Sequence, residues 1–588
     1  MPGTAVNEDD SSTDRSLPFI RDWAWLPFVF IFVLVAGHVF TYEYDGGIPR
    51  AWWFNEYDIR VKDTERFMLY GSIVLAVATA ARAIIFRVHG EQMLRRKAVK
   101  RGYRLVLFAL LVTTGFNFFY VRRASYNHWW HCYDSFHYGL NPKFHEELGY
   151  EYLYDCTVEA SPRNKIWHKT EVRDLKTYGF TSAKVVRKVR GPSCKERFSP
   201  ERWEEFDQAI DLFLDKEQCG PGRLRAAVAD QGYNGTPFHR SLMQIFWSFA
   251  PLERGSFIWL ALCDVFAICV AHILMTRAVG WRRGYTFSIF AFTLVTDRFS
   301  IIGGSSIRLL WLAMIIVAIA ALTRRRWATA GACLSVSAML NVFPMLVGIG
   351  ALLGLVGAAV RDRARLPDLR RFIVGGLTAA ALCGAVTASR GDIVDSYRAF
   401  LHDMEVHSQG PPNAKLGGRL EKTPGYGVGL KFAFTYRGEH GKSHKGYNRI
   451  KLTKEFAGIK PVYRIVGWTL TGIAAVLAFH LVAAEAALMF GFIAFFSLLG
   501  TVSYYFAFVS LVPIALMFSR HRASAEIMFL LFLLANIAGL MHLVSPQYTA
   551  TSLNRTLMTF SWLTWIGIWL LWTLRRTGLL RDIQEDRN

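Results

Sequence analysis

The sequence predicts an all-α polytopic membrane protein of about fourteen transmembrane helices, with an extracytoplasmic mixed domain between the third and fourth spans. Three observations carry that reading. The 588 residues are 52% apolar and 14% aromatic. Apolar runs recur along the chain, each close to the ~20 residues a helix needs to cross ~30 Å of hydrocarbon. Basic residues gather in short loops on one side of the alternation, where positive loops stay cytoplasmic. "ARAIIFRVHGEQMLRRKAVKRGYR" carries eight of them, and "TRAVGWRRGY", "TRRRW", "RDRARLPDLRR", "SRHR" and "LRRTGLLR" repeat the pattern.

Residues 1–23 read as a disordered cytoplasmic tail rather than a cleaved signal. Residues 24–102 hold spans 24–42 and 68–86 and the basic cytoplasmic loop. Span 103–121 leads into an extracytoplasmic loop domain, 122–254, with juxtamembrane helices. The membrane core 255–388 contains runs 256–275, 285–300, 306–322, 327–343, 345–360 and 371–388. Around Asn341–Pro344 the pattern fits one helix kinked at proline or two that meet there. A second extracytoplasmic loop, 389–462, begins as a helix and continues as a glycine-rich, basic stretch that reads as a lid or a connector. C-terminal spans fill 463–575 (463–479, 483–499, 503–519, 525–543 and 558–574), and 576–588 is a cytoplasmic tail. The expected address is therefore the cytoplasmic (inner) membrane, with both termini cytoplasmic.

The net charge of +22 follows from these helix-end loops and a basic loop domain. The arginines are spread over helix ends, not gathered on one domain, so no nucleic-acid partner is expected. No Walker-type loop, GxSxG, HExxH or GxGxxG in a strand–helix setting occurs, which removes the usual signals for ATP-driven pumping and serine hydrolysis.

Within 122–254, "SPERWEEFDQAIDLFL" announces a helix with Ser199 as cap and Pro200 in the first turn. The four non-membrane cysteines, Cys132, Cys156, Cys194 and Cys219, all lie here, which suggests two disulfides. Of three pairings, Cys132–Cys156 with Cys194–Cys219 closes the shortest loops and is favoured. Zinc lacks its ligand spacing. "NGT" at 234 matches the glycosylation pattern by chance.

The stretch "HCYDSFHYGLNPKFHEELGYEYLYDC" places Asp134 just beyond the membrane. A carboxylate there suits a general base for an acceptor hydroxyl or amine, while a helix cap is the plainer role. His137 and Tyr138 follow it as candidate substrate ligands. His239, Arg240, Arg298, Arg308, Arg390 and Lys431 all fall at the outer head-group level. Arg grips phosphate bidentately and Lys adds a compact charge. Singly each is an interface anchor; together they suit a lipid phosphate. Asp264 lies inside a span, where a charge is expensive.

Three stretches carry a family resemblance: "GYNGTPFHRSLMQIFWSFAPLERGSFIWLALCDVFAICV", "GGSSIRLLWLAMIIVAIAALTRRRWATAGACLSVSAMLNVFPMLVGIGALL" and "SYYFAFVSLVPIAL". Over about residues 103–520 the chain resembles the GT-C superfamily, in particular its bacterial polyprenyl-phosphate-mannose-dependent type. The resemblance implies a glycosyltransferase. It would take sugar from a polyprenyl-phosphate donor and pass it to a glycan, lipid or protein acceptor at the outer face of the bilayer. It implies Asp134 as the catalytic Asp of the first large outer loop. No cofactor is implied with certainty; a divalent cation is left open, since acidic loops offer oxygen ligands. Two departures stand out. The matching loop follows the third span, which makes spans one and two an N-terminal addition, and Asn341 occupies the place of a basic residue before the "FP" break. Against this reading stand a flippase of lipid-linked sugar, a surface-glycan ligase or polymerase, and a non-enzymatic scaffold.

Overall fold

The computed structural model describes residues 23–43, 61–119, 131–160, 170–190, 192–215, 219–294, 306–409, 449–499, 501–511 and 522–544, with shorter pieces elsewhere. Arg298, Lys431, most of the glycine-rich stretch after 409, most of span 558–574 and both tails lie outside the described residues.

The described chain is mainly helical, with two short antiparallel strand pairs, Glu171–Arg173 with Phe180–Ser182 and Gly427–Val428 with Thr501–Val502. Among the described residues, five helices are long and apolar enough to cross a membrane: Glu65–Gly90, Lys97–Phe119, Arg254–Val279, Arg363–Ala388 and Lys460–His480. Shorter apolar helices accompany them, among them Leu310–Thr323, Trp327–Leu340, Met345–Arg361 and Ala483–Leu498.

Small residues set how closely these helices pack. Gly350, Gly354 and Gly357 form a stripe on Met345–Arg361, and a Cβ at any of them would run into the backbone of 479–487. Without water between helices to drive association, such backbone contact replaces the hydrophobic effect. Asn536 ties the first helices to the last: its amide donates to Ser72 Oγ and to the Thr293 carbonyl, both at 2.9 Å.

At Pro344 the chain forms two helices rather than one kinked helix. Trp327–Leu340 ends at Asn341, whose backbone is extended (φ −152°), and the next helix starts at Met345. Other run boundaries shift. In the run 285–300 the described helix is Trp281–Thr293, which starts before the run and ends at Leu294, and the run 503–519 begins as the 3₁₀ helix Ser503–Leu511. Apolar composition marks burial, but not where the backbone leaves the helix.

The loop domain is a set of short helices. Ser199 caps Pro200–Leu214 as expected, its side chain accepting from the Arg202 amide. The favoured disulfide pairing is overturned. Cys156 bonds Cys194, with Cα atoms 5.3 Å apart, and Cys219 is disulfide-bonded elsewhere; the Cys132 side chain lies outside the described residues. The reason is packing: helix Pro192–Lys195 lies directly on helix Leu153–Ala160, so cysteines distant in sequence meet.

Candidate functional site

Helix Lys97–Phe119 delivers the chain to a tight turn, Cys132–Ser135, that runs into a π-helical turn, Phe136–Leu140. Such turns rotate side chains off the α-helical ladder and recur at functional sites. Asp134 is 9% exposed and does not cap a helix. Its Oδ2 accepts from Arg308 Nη1 at 2.7 Å, an ion pair spanning 174 positions of sequence.

Arg308 is held on several sides. Its guanidinium carbon lies 3.9 Å over the Tyr138 ring, and Nη2 donates to Tyr505 Oη at 3.4 Å. Tyr138 in turn donates a short hydrogen bond to Asn234 Oδ1. The strap that carries Arg308 is strained: Ser306 and Ile307 adopt φ of 48° and 56°, a region non-glycine residues rarely enter. Two groups hold the strap. His239 Nε2 donates to the Ser306 carbonyl at 3.1 Å, while its Nδ1 accepts from Tyr233 Oη. Asp264 Oδ1, from helix Arg254–Val279, accepts from the Leu309 amide at 3.1 Å and satisfies an orphan donor at the start of Leu310–Thr323. Gly139 belongs here too, since a Cβ on it would strike the Phe257 ring and press on Ser306 Oγ.

Electrostatics follow from that packing. Burial pushes the Asp134 carboxyl up, but Arg308, with smaller help from His131 and His137, outweighs it and leaves the pKa below its ordinary value. His131 and His137 are lowered, burial being the largest cause, and burial takes His239 down to about 4. All three are thus neutral near pH 7. His131 Nδ1 accepts the Asp134 amide at 3.1 Å. His137 Nδ1 donates to the Tyr133 carbonyl at 3.0 Å, which leaves Nε2 to accept from Tyr154 Oη at 2.8 Å.

The sequence-named residues therefore separate. Asp134, Tyr138 and Arg308 meet directly. His137 and His239 are struts with both ring nitrogens engaged. Arg240 lies on the same re-entry helix as His239, Pro237–Trp247, and is 6% exposed. Its Nη2 donates to Ser396 Oγ at 2.9 Å, its Nε has no hydrogen-bond partner, and among the described residues no carboxylate pairs with it. A buried guanidinium without an acid is a strong electrostatic demand for an anion. Three other acids of the loop domain are paired with arginines: Glu147 with Arg202 at 2.7 Å, and Asp155 and Asp174 with Arg190 at 3.1 and 2.8 Å. Tyr505, Tyr233 and Ser306 were missed, because nothing in an apolar or glycine-rich stretch marks which residue will touch a distant charge. Among the described residues, no group of three or more His, Cys, Asp or Glu side chains could hold a metal.

Comparisons with protein-family models, with curated proteins and with solved structures give no match, so function rests on the site alone.

Proposed function

We propose that the protein is an integral-membrane glycosyltransferase of GT-C type, with about fourteen spans, acting at the extracytoplasmic face on a polyprenyl-phosphate sugar. The observation that carries this reading is the Asp134–Arg308 pair, buried where the loop domain meets the helix mouths, with the unpaired guanidinium of Arg240 on the neighbouring helix.

The chemistry is spare. The acceptor O–H gives its proton to Asp134 as its oxygen bonds to the anomeric carbon. The bond from that carbon to the phosphate oxygen breaks, and the electron pair stays on phosphate, which leaves without acid help. Guanidinium groups aimed at that phosphate stabilise the growing charge. The resting ion pair gives this an order. While Arg308 holds Asp134, the carboxylate is ionised but a weak base. A donor phosphate competing for Arg308 frees the carboxylate and raises its basicity, so acceptor activation follows donor binding.

The test is reconstitution of the full chain in liposomes with a panel of radiolabelled polyprenyl-monophosphate sugars and an envelope-glycan extract. Label in a new glycosidic bond is the expected result. Label that crosses the bilayer unbonded would make it a flippase, and turnover only of diphosphate-linked oligosaccharide a polymerase or ligase.

A further inference from the structure

Between the loop domain and helix Ile393–Gln409 lies a cleft of about 250 Å³ that the chemistry above does not use. One wall is Ala399, His402, Asp403 and Val406, at helical spacing on a single face. The other is the turn through Tyr150 and Tyr152, with Lys176 and Arg197.

Asp403 is 7% exposed, and among the described residues its Oδ2 has no hydrogen-bond partner. Buried polar groups without partners are rare in native proteins. Burial, with Glu151 nearby, pushes the Asp403 pKa up to about 8, so near neutrality it carries a proton and both donates and accepts. The opposite wall is closer to neutral than its composition suggests. Lys176 Nζ lies 2.6 Å from Tyr152 Oη and 3.6 Å from Glu151 Oε2, and the Arg197 guanidinium covers the Tyr152 ring at 3.8 Å. A cation would face Lys176 and Arg197; an anion would find Lys176 already shared with Glu151, and Arg197 bonded to the Glu147 carbonyl and stacked on Tyr152. What fits both walls is a neutral ligand dense in hydroxyls with a partly apolar face. The volume lies just under the ~300 Å³ lower bound of drug-sized pockets, room for a sugar ring or two and too little for a lipid chain.

We propose that this cleft is a binding subsite for a neutral saccharide ring, with Asp403 as its buried hydrogen-bonding anchor. That the saccharide belongs to the acceptor glycan rests on the glycosyltransferase reading; the binding itself does not. Position supports the link. Tyr150 stacks on Tyr233 at 5.7 Å, Tyr233 meets Tyr138 at 5.3 Å, and Arg308 lies on Tyr138. Three aromatic rings in contact thus connect this cleft to Arg308, the partner of Asp134.

The experiment is saturation-transfer NMR on the full chain in micelles with maltose, cellobiose and mannobiose as probes and inorganic phosphate as competitor. Expected is saturation transfer from wild type, Asp403→Asn and Asp134→Asn to at least one disaccharide, unaffected by phosphate and lost in Asp403→Leu. Ala399→Trp, at an exposed position on the same face, fills the cleft without touching the carboxyl and should abolish the signal as well, which keeps the test alive if Asp403→Leu does not fold. Equal transfer in wild type and Ala399→Trp, no transfer to any disaccharide, or displacement by phosphate overturns the proposal. Because binding is read and not turnover, a chain that binds disaccharide but transfers no sugar would sink the proposed reaction and leave this site standing.

Discussion

Asp134 and Asp403 are buried alike, 9% and 7% exposed, yet their surroundings treat them in opposite ways. At the helix mouths Asp134 meets Arg308 at 2.7 Å and is held in its charged form. In the lateral cleft Asp403 pairs with no cation among the described residues, and burial holds it in its protonated form. Depth alone therefore does not set the state of a carboxyl here; the partner does. The difference also divides the roles: a charged group at the mouth suits proton acceptance, and a neutral one in the cleft suits recognition.

The sharpest way to break this contrast is to remove the cation. Arg308→Met strands a buried charge and should destabilise the fold by about 3–5 kcal/mol, whereas the double variant Asp134→Asn/Arg308→Gln should recover much of that. Denaturant or thermal melts of the purified chain check both. Next in size, Cys156→Ala opens the disulfide that pins the loop domain and should cost about 2–4 kcal/mol, measured in the same way under oxidising conditions. Smaller and opposite in sign, Asp403→Leu removes an unsatisfied buried group; its melting midpoint should stay level or rise by the equivalent of about 1 kcal/mol, while Asp134→Leu should fall.

The contrast also predicts a difference in slope with pH. The folded pKa of Asp134 lies below the unfolded value, so its contribution is present above that value and is lost only as pH falls through the folded pKa. The folded pKa of Asp403 is raised to about 8 from 3.8. Between those values the unfolded chain has released the proton and the folded chain retains it, so stability falls as pH rises. The melting difference between wild type and Asp403→Asn should therefore change steadily from pH 5 to pH 8 and level off above it, whereas that for Asp134→Asn should stay flat over the same range. A flat profile for both would erase the distinction.

Much of this was legible in the sequence because it is local. Ser199 and Pro200 announce their helix, and long apolar runs announce theirs, since capping and hydrocarbon burial act over neighbouring residues. Asp134, Tyr138 and Arg308 were named for their position just outside apolar runs. That Asp134 and Arg308 would pair could not be read, because their meeting depends on how the turn at 132–135 packs against a strap 174 residues later. The disulfide was misread for the same reason: loop length was used where helix packing decides. The left-handed backbone at Ser306 and Ile307 carries no sequence mark, as neither is glycine, and is imposed by His239 and Asp264 from other helices. Asp403 looked like any acid on an amphipathic helix until a second wall closed over it.

The most direct test of the account is single-turnover sugar transfer in proteoliposomes, wild type beside Asp134→Asn. Asparagine keeps the shape and can still accept from Arg308, so the fold and donor binding should survive. Loss of a general base predicts transfer slowed by about 10²–10⁴-fold, with donor affinity kept or raised because the carboxylate no longer competes with phosphate for Arg308. Transfer at the wild-type rate from a properly folded Asp134→Asn protein would contradict it.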